Sequence, residues 1–100
     1  MDILLSGKQR SYLKGLANNI DPIFQLGKSG LTDNFIKQID GALETRELLK
    51  VNVLKSCDLD PTEVANYLIN ELSAEFVQSI GRRFVIYRES KENKKIELPG

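Results

Sequence analysis

Ile23-Phe24-Gln25-Leu26-Gly27-Lys28-Ser29-Gly30-Leu31-Thr32 is the stretch on which the reading of the fold turns. Its first four residues are short and largely apolar, and they follow Asp21-Pro22, a pair that stops any helix and hands the chain to a strand. At the other end Thr32 can cap a helix whose Phe35, Ile36, Ile39, Ala42 and Leu43 repeat at helical spacing. Between the two stands Gly27-Lys28-Ser29-Gly30. Two glycines let the chain turn sharply and carry no side chain to fend off a ligand, so free amides can meet a phosphate. Lys28 adds charge and Ser29 a hydroxyl, while the helix that follows offers unpaired N–H groups and the positive end of its dipole. The pattern reads as a backbone clamp for a nucleic-acid strand. The plainer alternative is a tight strand-to-helix turn with an incidental lysine. A nucleoside-triphosphate loop is excluded, because that motif needs a glycine five residues before the Gly-Lys pair and this chain has Pro22 there.

Toward the N-terminus helical periodicity begins near Ser6 or Gly7, with Tyr12, Leu13, Leu16, Ala17 and Ile20 as the apolar stripe and Asn18-Asn19 as the end. Gly41 inside the second helix is costly relative to alanine, and the expectation is that it marks close packing against a neighbour. From Leu48 to Leu54 the chain alternates, Leu49, Val51 and Val53 facing one way and Lys50 and Asn52 the other, as in a half-buried strand. Asp60-Pro61-Thr62-Glu63 combines an acidic cap, a proline at the first helical position and a glutamate that completes a capping box. Val64, Ala65, Leu68, Ile69 and Leu72 form that third helix's buried stripe. Phe76 to Ile80 and Arg83 to Arg88 are two strands joined by Gly81-Arg82, a two-residue hairpin loop of the Gly-first type. From Ser90 the chain is charged and turn-rich, with Ile96, Leu98 and Pro99 able to pack back.

The order is α-β-α-β-α-β-β in one α/β domain spanning residues 1–100, of which 91–100 form a tail. Right-handed crossovers make the strand-helix-strand connections parallel and the final hairpin antiparallel. One hundred residues suffice for a single core, and 41% hydrophobic with 28% charged residues describes a globular chain. No stretch reaches the length of a membrane span, and Met1-Asp2-Ile3-Leu4-Leu5 lacks the basic start and long apolar run of an export leader. Cys57 is the only cysteine, so an internal disulfide is impossible. A cytoplasmic protein is expected.

Fourteen basic and fourteen acidic side chains cancel, but their distribution is uneven. Residues 1–57 carry a net charge of +2, residues 58–75 a net of −5 with no base, and residues 76–100 a net of +3. A neutral total therefore accommodates one basic face and one acidic helix. Histidine is absent, which removes the usual neutral-pH general base and the commonest metal ligand. Asp58, Asp60, Glu63, Glu71 and Glu75 read as caps and the solvated face of a helix. Neither catalysis, nor a metal, nor a cofactor is expected. Arg10 and Lys14 lie four apart on one flank of the first helix, and Arg82, Arg83 and Arg88 mark the hairpin; around Lys28 they would form a groove following a phosphate backbone. Tyr12 and Tyr87 are the only candidates for stacking on a base.

In Leu13-Lys14-Gly15-Leu16-Ala17, Gln25-Leu26-Gly27-Lys28-Ser29-Gly30-Leu31-Thr32, Glu47-Leu48-Leu49-Lys50-Val51, Val77-Gln78-Ser79-Ile80-Gly81-Arg82 and Lys95-Ile96-Glu97-Leu98-Pro99 the chain resembles the YhbY-like proteins. These are single-domain members of the CRM family, named for chloroplast RNA splicing and ribosome maturation. The resemblance runs from the first helix to the tail. It implies a four-stranded mixed sheet with three helices, similar to the C-terminal domain of translation initiation factor three. It also implies an RNA-binding loop at Gly27, Lys28, Ser29 and Gly30, with Thr32 at its exit and a basic surface at Lys14 and Arg82. Arg10 and Arg83 extend that surface on geometric grounds. Asn18 and Asn19 stand where many relatives carry basic or histidine residues. Bacterial members are associated with precursors of the large ribosomal subunit, so the expected partner is ribosomal RNA, with ribosomal proteins as further candidates and the protein itself a monomer. The competing reading is a protein-interaction adaptor that uses the acidic third helix.

Overall fold

The structure, a computed structural model, describes residues 5–100; Met1 to Leu4, and with them most of the segment read above for a leader, lie outside the described residues. Three helices and four strands follow in the order α1 (Gly7–Ala17), β1 (Phe24–Leu26), α2 (Asp33–Arg46), β2 (Leu48–Val53), α3 (Pro61–Leu72), β3 (Glu75–Ile80) and β4 (Arg83–Tyr87). The strands form one mixed sheet in the order β1-β2-β4-β3. β1 runs parallel to β2, and β4 is antiparallel to both β2 and β3. β2 and β3 are therefore parallel too, but the last strand has inserted between them, an arrangement that local sequence pattern does not reveal.

Alternation along each strand sorts the core onto two faces. Leu49, Val51 and Val53 of β2 join Leu26, Phe84 and Ile86 beneath α2 and α3, which contribute Ile39, Leu43, Val64, Ala65 and Leu68. On the other face Leu48, Val77, Val85 and Tyr87 pack beneath α1, which supplies Leu13 and Ala17, with Leu16, Ile20, Ile96 and Leu98 around them. Tyr12, expected in the α1 stripe, is 43% exposed; Tyr87, expected as a stacking candidate, is buried. Neither the third helix nor the second departs from its expected stripe, because both face the same continuous apolar sheet surface.

Each helix start is satisfied locally. Ser6 and Gln9 form a reciprocal capping box on α1, Thr32 Oγ1 accepts from the Phe35 N–H at 3.1 Å, and Asp60 Oδ1 accepts from the Thr62 N–H at 2.8 Å. Gly41 does not mark close packing. A Cβ there would find nothing within 4 Å, and the residue is exposed.

The far end of the sheet is closed by two carboxylates. Glu47, wholly buried, joins α2 to β2 at φ +68° and accepts from the N–H groups of Ser90, Lys95 and Ile96, each at 2.7 Å. Glu44 accepts from the Ser90 hydroxyl at 2.7 Å and from the Lys91 and Glu92 N–H groups. Burial alone would push the Glu47 carboxyl upward, but its three N–H donors and the nearby Lys94 ammonium outweigh this and hold it below the ordinary value. Glu44 is also held low, chiefly by the Ser90 hydroxyl. Beside them, burial and then the Glu47 and Glu89 charges push Tyr87 up to about 12. The segment from Ser90 to Ile96 is thus fastened to the end of α2, and Pro99 O accepts from Gln9 Nε2 of α1.

Candidate nucleic-acid interface

The Gly27 to Gly30 segment is a closed turn at the end of the sheet where β2 finishes in Val53. Gly30 N–H donates to Gly27 O at 3.1 Å, and Gly30 adopts φ +70°, a conformation that favours glycine. Gly30 O then accepts from the Thr32 N–H at 3.0 Å, which directs the chain into α2. Phe24 and Phe35, one on each side of the turn, meet edge to face at 6.2 Å and 81°, a contact worth about 1 kcal/mol beyond its buried area. The strand before the loop and the helix after it thus touch each other across the turn.

This geometry refines what the turn can offer an anion. The Gly30 amide is already bonded, whereas among the described residues the amides of Lys28, Ser29 and Leu31 donate to no backbone carbonyl. Thr32 Oγ1 is engaged as the helix cap, and its hydroxyl proton remains a donor. Gly27, Lys28, Ser29, Gly30 and Thr32 line one groove of about 280 Å³ together with Gln25, Asn34 and Gln38. Five of the expected site residues are therefore brought together. Asp33, in the first turn of α2, favours the helix dipole and sits exposed beside the loop.

The hairpin tip reaches this end of the sheet, but its two arginines differ. Arg82 is half-buried: its Nε donates to Val53 O at 2.8 Å and its Nη2 to Leu54 O at 3.0 Å and Cys57 O at 3.4 Å. It braces the turn after β2, which in turn lies against the loop, since a Cβ on Gly27 would touch Leu54 at 3.6 Å and Ser56 at 3.7 Å. Arg83 is exposed at the start of β4, opposite Asn52. Ser56, exposed, lies against Gly27, and the exposed Lys55 precedes it in the chain. The position of Ser56 depends on a long-range contact that the sequence pattern does not record.

The remaining cations do not gather at the loop. Arg10 donates from Nε to Phe76 O on β3, at the opposite edge of the sheet from β1, and Lys14 is exposed one turn further along α1. Arg88 lies at the far end, bonded to Asp40 Oδ1 at 2.7 Å, to Asp40 O and to Leu72 O. The expectation that Arg88 helps surround Lys28 is corrected: the β4 register carries it to the Leu48 end, where an aspartate and two carbonyls take up its guanidinium. Among the described residues no cluster of carboxylates or cysteine is placed to hold a metal ion, and no helix is long and apolar enough to cross a membrane.

Comparison with known proteins agrees with this architecture. The chain is 52% identical over 96 residues to YqeI of Bacillus subtilis, named a probable RNA-binding protein, covering 96% of this chain and all of the relative. It is 41% identical over 95 residues to an RNA-binding protein of Haemophilus influenzae, covering 95% of each. The solution structure of the Staphylococcus aureus protein SAV1595 superposes with a TM-score of 0.78 at 58% identity, over 96% of this chain and all of that one. The family model of the CRS1 / YhbY (CRM) domain matches residues 5–88, and with relatives this similar over their full length, the chain belongs to that family.

Proposed function

We propose that this protein binds RNA through the Gly27 to Gly30 turn, and that it assists assembly of the large ribosomal subunit by clamping ribosomal RNA there. The observation that carries the reading is the turn itself: it leaves the Lys28, Ser29 and Leu31 amides free beside a cation and the N-terminus of α2. The names of relatives that align over nearly the whole chain support RNA as the ligand. The YhbY-like resemblance supports the ribosomal target and a cytoplasmic setting. The clamp positions a backbone and has no catalytic step; selectivity would come from RNA shape or from contacts beyond the loop.

The test is equilibrium binding to ribosomal RNA fragments across a salt series, with the wild type beside the doubly substituted Lys28→Asp, Ser29→Asp protein. If Lys28, Lys55 and Arg83 each neutralise one phosphate, the affinity falls with salt at a slope of about −2 on single strands. The doubly substituted protein keeps the wild-type fold and loses binding. Equal binding by both proteins would remove the loop as the RNA site and favour an adaptor acting through the acidic α3.

A further inference from the structure

α1 and the Ile96 to Leu98 segment cover only the Leu48 end of their side of the sheet. Toward the Val53 end, Gln25, Asn52, Arg83 and Ile80 stand directly beside one another across all four strands, by the pairings Gln25 with Asn52, Asn52 with Arg83, and Arg83 with Ile80. The row spans roughly 14 Å at the usual strand spacing. Gln25 and Arg83 are exposed, Asn52 is half-buried, and Ile80 is 67% exposed, an apolar side chain left in water at the hairpin. One step down the same face lie Lys50 and Gln78, each paired with Val85.

We infer that this uncovered half-face receives two or three unpaired bases of the strand held by the Gly27 to Gly30 turn, with the carboxamides of Gln25 and Asn52 bonding base edges. The inference rests on the clamp reading and extends it from backbone to bases. Three observations favour single-stranded RNA as the occupant. The row is continuous with the clamp, because Gln25 belongs both to it and to the groove lined by the loop. Its charge is complementary: the strands carry Lys50 and Arg83 on this face, and their one carboxylate, Glu75, sits opposite Tyr87 at the other end. The salt bridges among the described residues, Arg88 with Asp40 and Lys94 with Glu89, leave both cations unneutralised.

The third observation is chemical. A carboxamide donates and accepts side by side, which suits the edge of an unpaired base and is wasted on a phosphate. Asparagine is disfavoured in strands, yet Asn52 occupies a central one, between the buried Val51 and Val53 that fix its backbone. The exposed Ile80 gives a base face an apolar surface at the end of the row. Two or three bases is also the number that four-stranded RNA-binding sheets of another kind accommodate.

The test measures binding of labelled adenine, cytosine and uracil homopolymers and of an RNA duplex to four proteins: wild type, Gln25→Ala with Asn52→Ala, Gln25→Ala with Asn52→Thr, and Lys28→Asp with Ser29→Asp. The threonine variant guards against misfolding, since threonine suits a strand. The wild type ranks the homopolymers with about tenfold between best and worst, the size of one paired base contact, and prefers any of them to duplex. Both strip variants keep the salt slope and bind all three homopolymers within about twofold, the ranking having rested on those contacts. In the wild type the side-chain amide resonances of Gln25 and Asn52 shift on titration with the preferred homopolymer. Wild-type ranking retained in both strip variants, or duplex bound as tightly as single strand, overturns the strip while loss of binding in the Lys28→Asp, Ser29→Asp protein leaves the clamp standing. Wild-type binding by that protein overturns the clamp and the path from it together.

Discussion

Replacing Glu47 with glutamine tests whether the carboxylate at the α2–β2 joint fastens the C-terminal segment. Its Oε1 accepts from Lys95 and Ile96 and its Oε2 from Ser90, all at 2.7 Å, on a side chain that is itself wholly buried. Glutamine retains one acceptor oxygen for the first two donors but turns an NH₂ toward the Ser90 N–H, so one bond is lost and two lose their charge assistance. Charge-assisted bonds contribute about 1.5–3 kcal/mol each and neutral ones about 1, and an unmatched buried donor costs about 1–3. Because such terms overlap, a net loss of about 3 kcal/mol is expected, a large share of the roughly 5–15 kcal/mol that holds a domain together. The melting temperature should drop by roughly 12–24 °C at the usual 4–8 °C per kcal/mol.

The same contacts should weaken in acid. A carboxyl held below its ordinary value of 4.5 in the folded state binds fewer protons there than in the unfolded chain. Its contribution is therefore complete above about 4.5 and disappears as the pH falls through the lower folded value. Urea unfolding of both proteins from neutral pH downward should show their stabilities converging in that acid range. Hydrogen exchange at the Ser90 amide, which loses its acceptor, should accelerate most in the variant at neutral pH, with smaller increases at Lys95 and Ile96. A Glu47→Gln protein within about 0.5 kcal/mol of wild type at neutral pH would mean that the carboxylate does not fasten the segment, since that is the scatter of a surface substitution.

Other substitutions read single features. Gly30→Ala places a side chain at φ +70° and should cost about 1–2 kcal/mol and weaken RNA binding, whereas Gly27→Ala, whose Cβ would meet ordinary contacts at 3.6 and 3.7 Å, should fold with wild-type stability; equal melting temperatures would contradict the turn. Arg82→Ala removes the side-chain donor from the Val53 and Cys57 carbonyls and one of two donors from the Leu54 carbonyl, which keeps the Cys57 N–H, and should cost about 2 kcal/mol by denaturant unfolding, while an unchanged midpoint would show that the brace contributes nothing. Gly41→Ala, in an exposed stretch of α2 with open space around it, should gain about 1 kcal/mol and melt several degrees higher; a lower melting temperature would mean that the glycine is needed after all.

Local pattern carries a large part of this molecule and stops at identifiable places. Asp60-Pro61 and Thr32 announce helices because capping is a contact within one turn, and Leu49, Val51 and Val53 announce a face because strand alternation is a property of neighbours. The insertion of β4 between β2 and β3 depends on pairing between segments far apart in the chain, and no residue records it alone. The arginines show the same limit. Arg82 and Arg83 are adjacent and chemically identical, yet one meets three carbonyls of the turn after β2 and the other meets solvent. Which cation is free is decided by the carbonyls that tertiary structure brings within its reach. Asn52 is readable as facing away from Leu49, Val51 and Val53, but not as the neighbour of Gln25, since that pairing depends on the β1–β2 register.

β1 is three residues long, lies at the sheet edge and bonds to β2 alone. The strand that presents the loop is thus the part of the sheet with the fewest partners to lose, and it should be the first to come loose in transient openings that leave the rest intact. A ligand that bridges the turn, the end of β1 and the start of α2 would supply the partners this edge lacks. RNA then acts as a missing neighbour: the amides of residues 24–32 should exchange faster than those of β4 in the free protein and slow most on binding, and part of the binding free energy is consumed in quieting the site rather than in holding the strand.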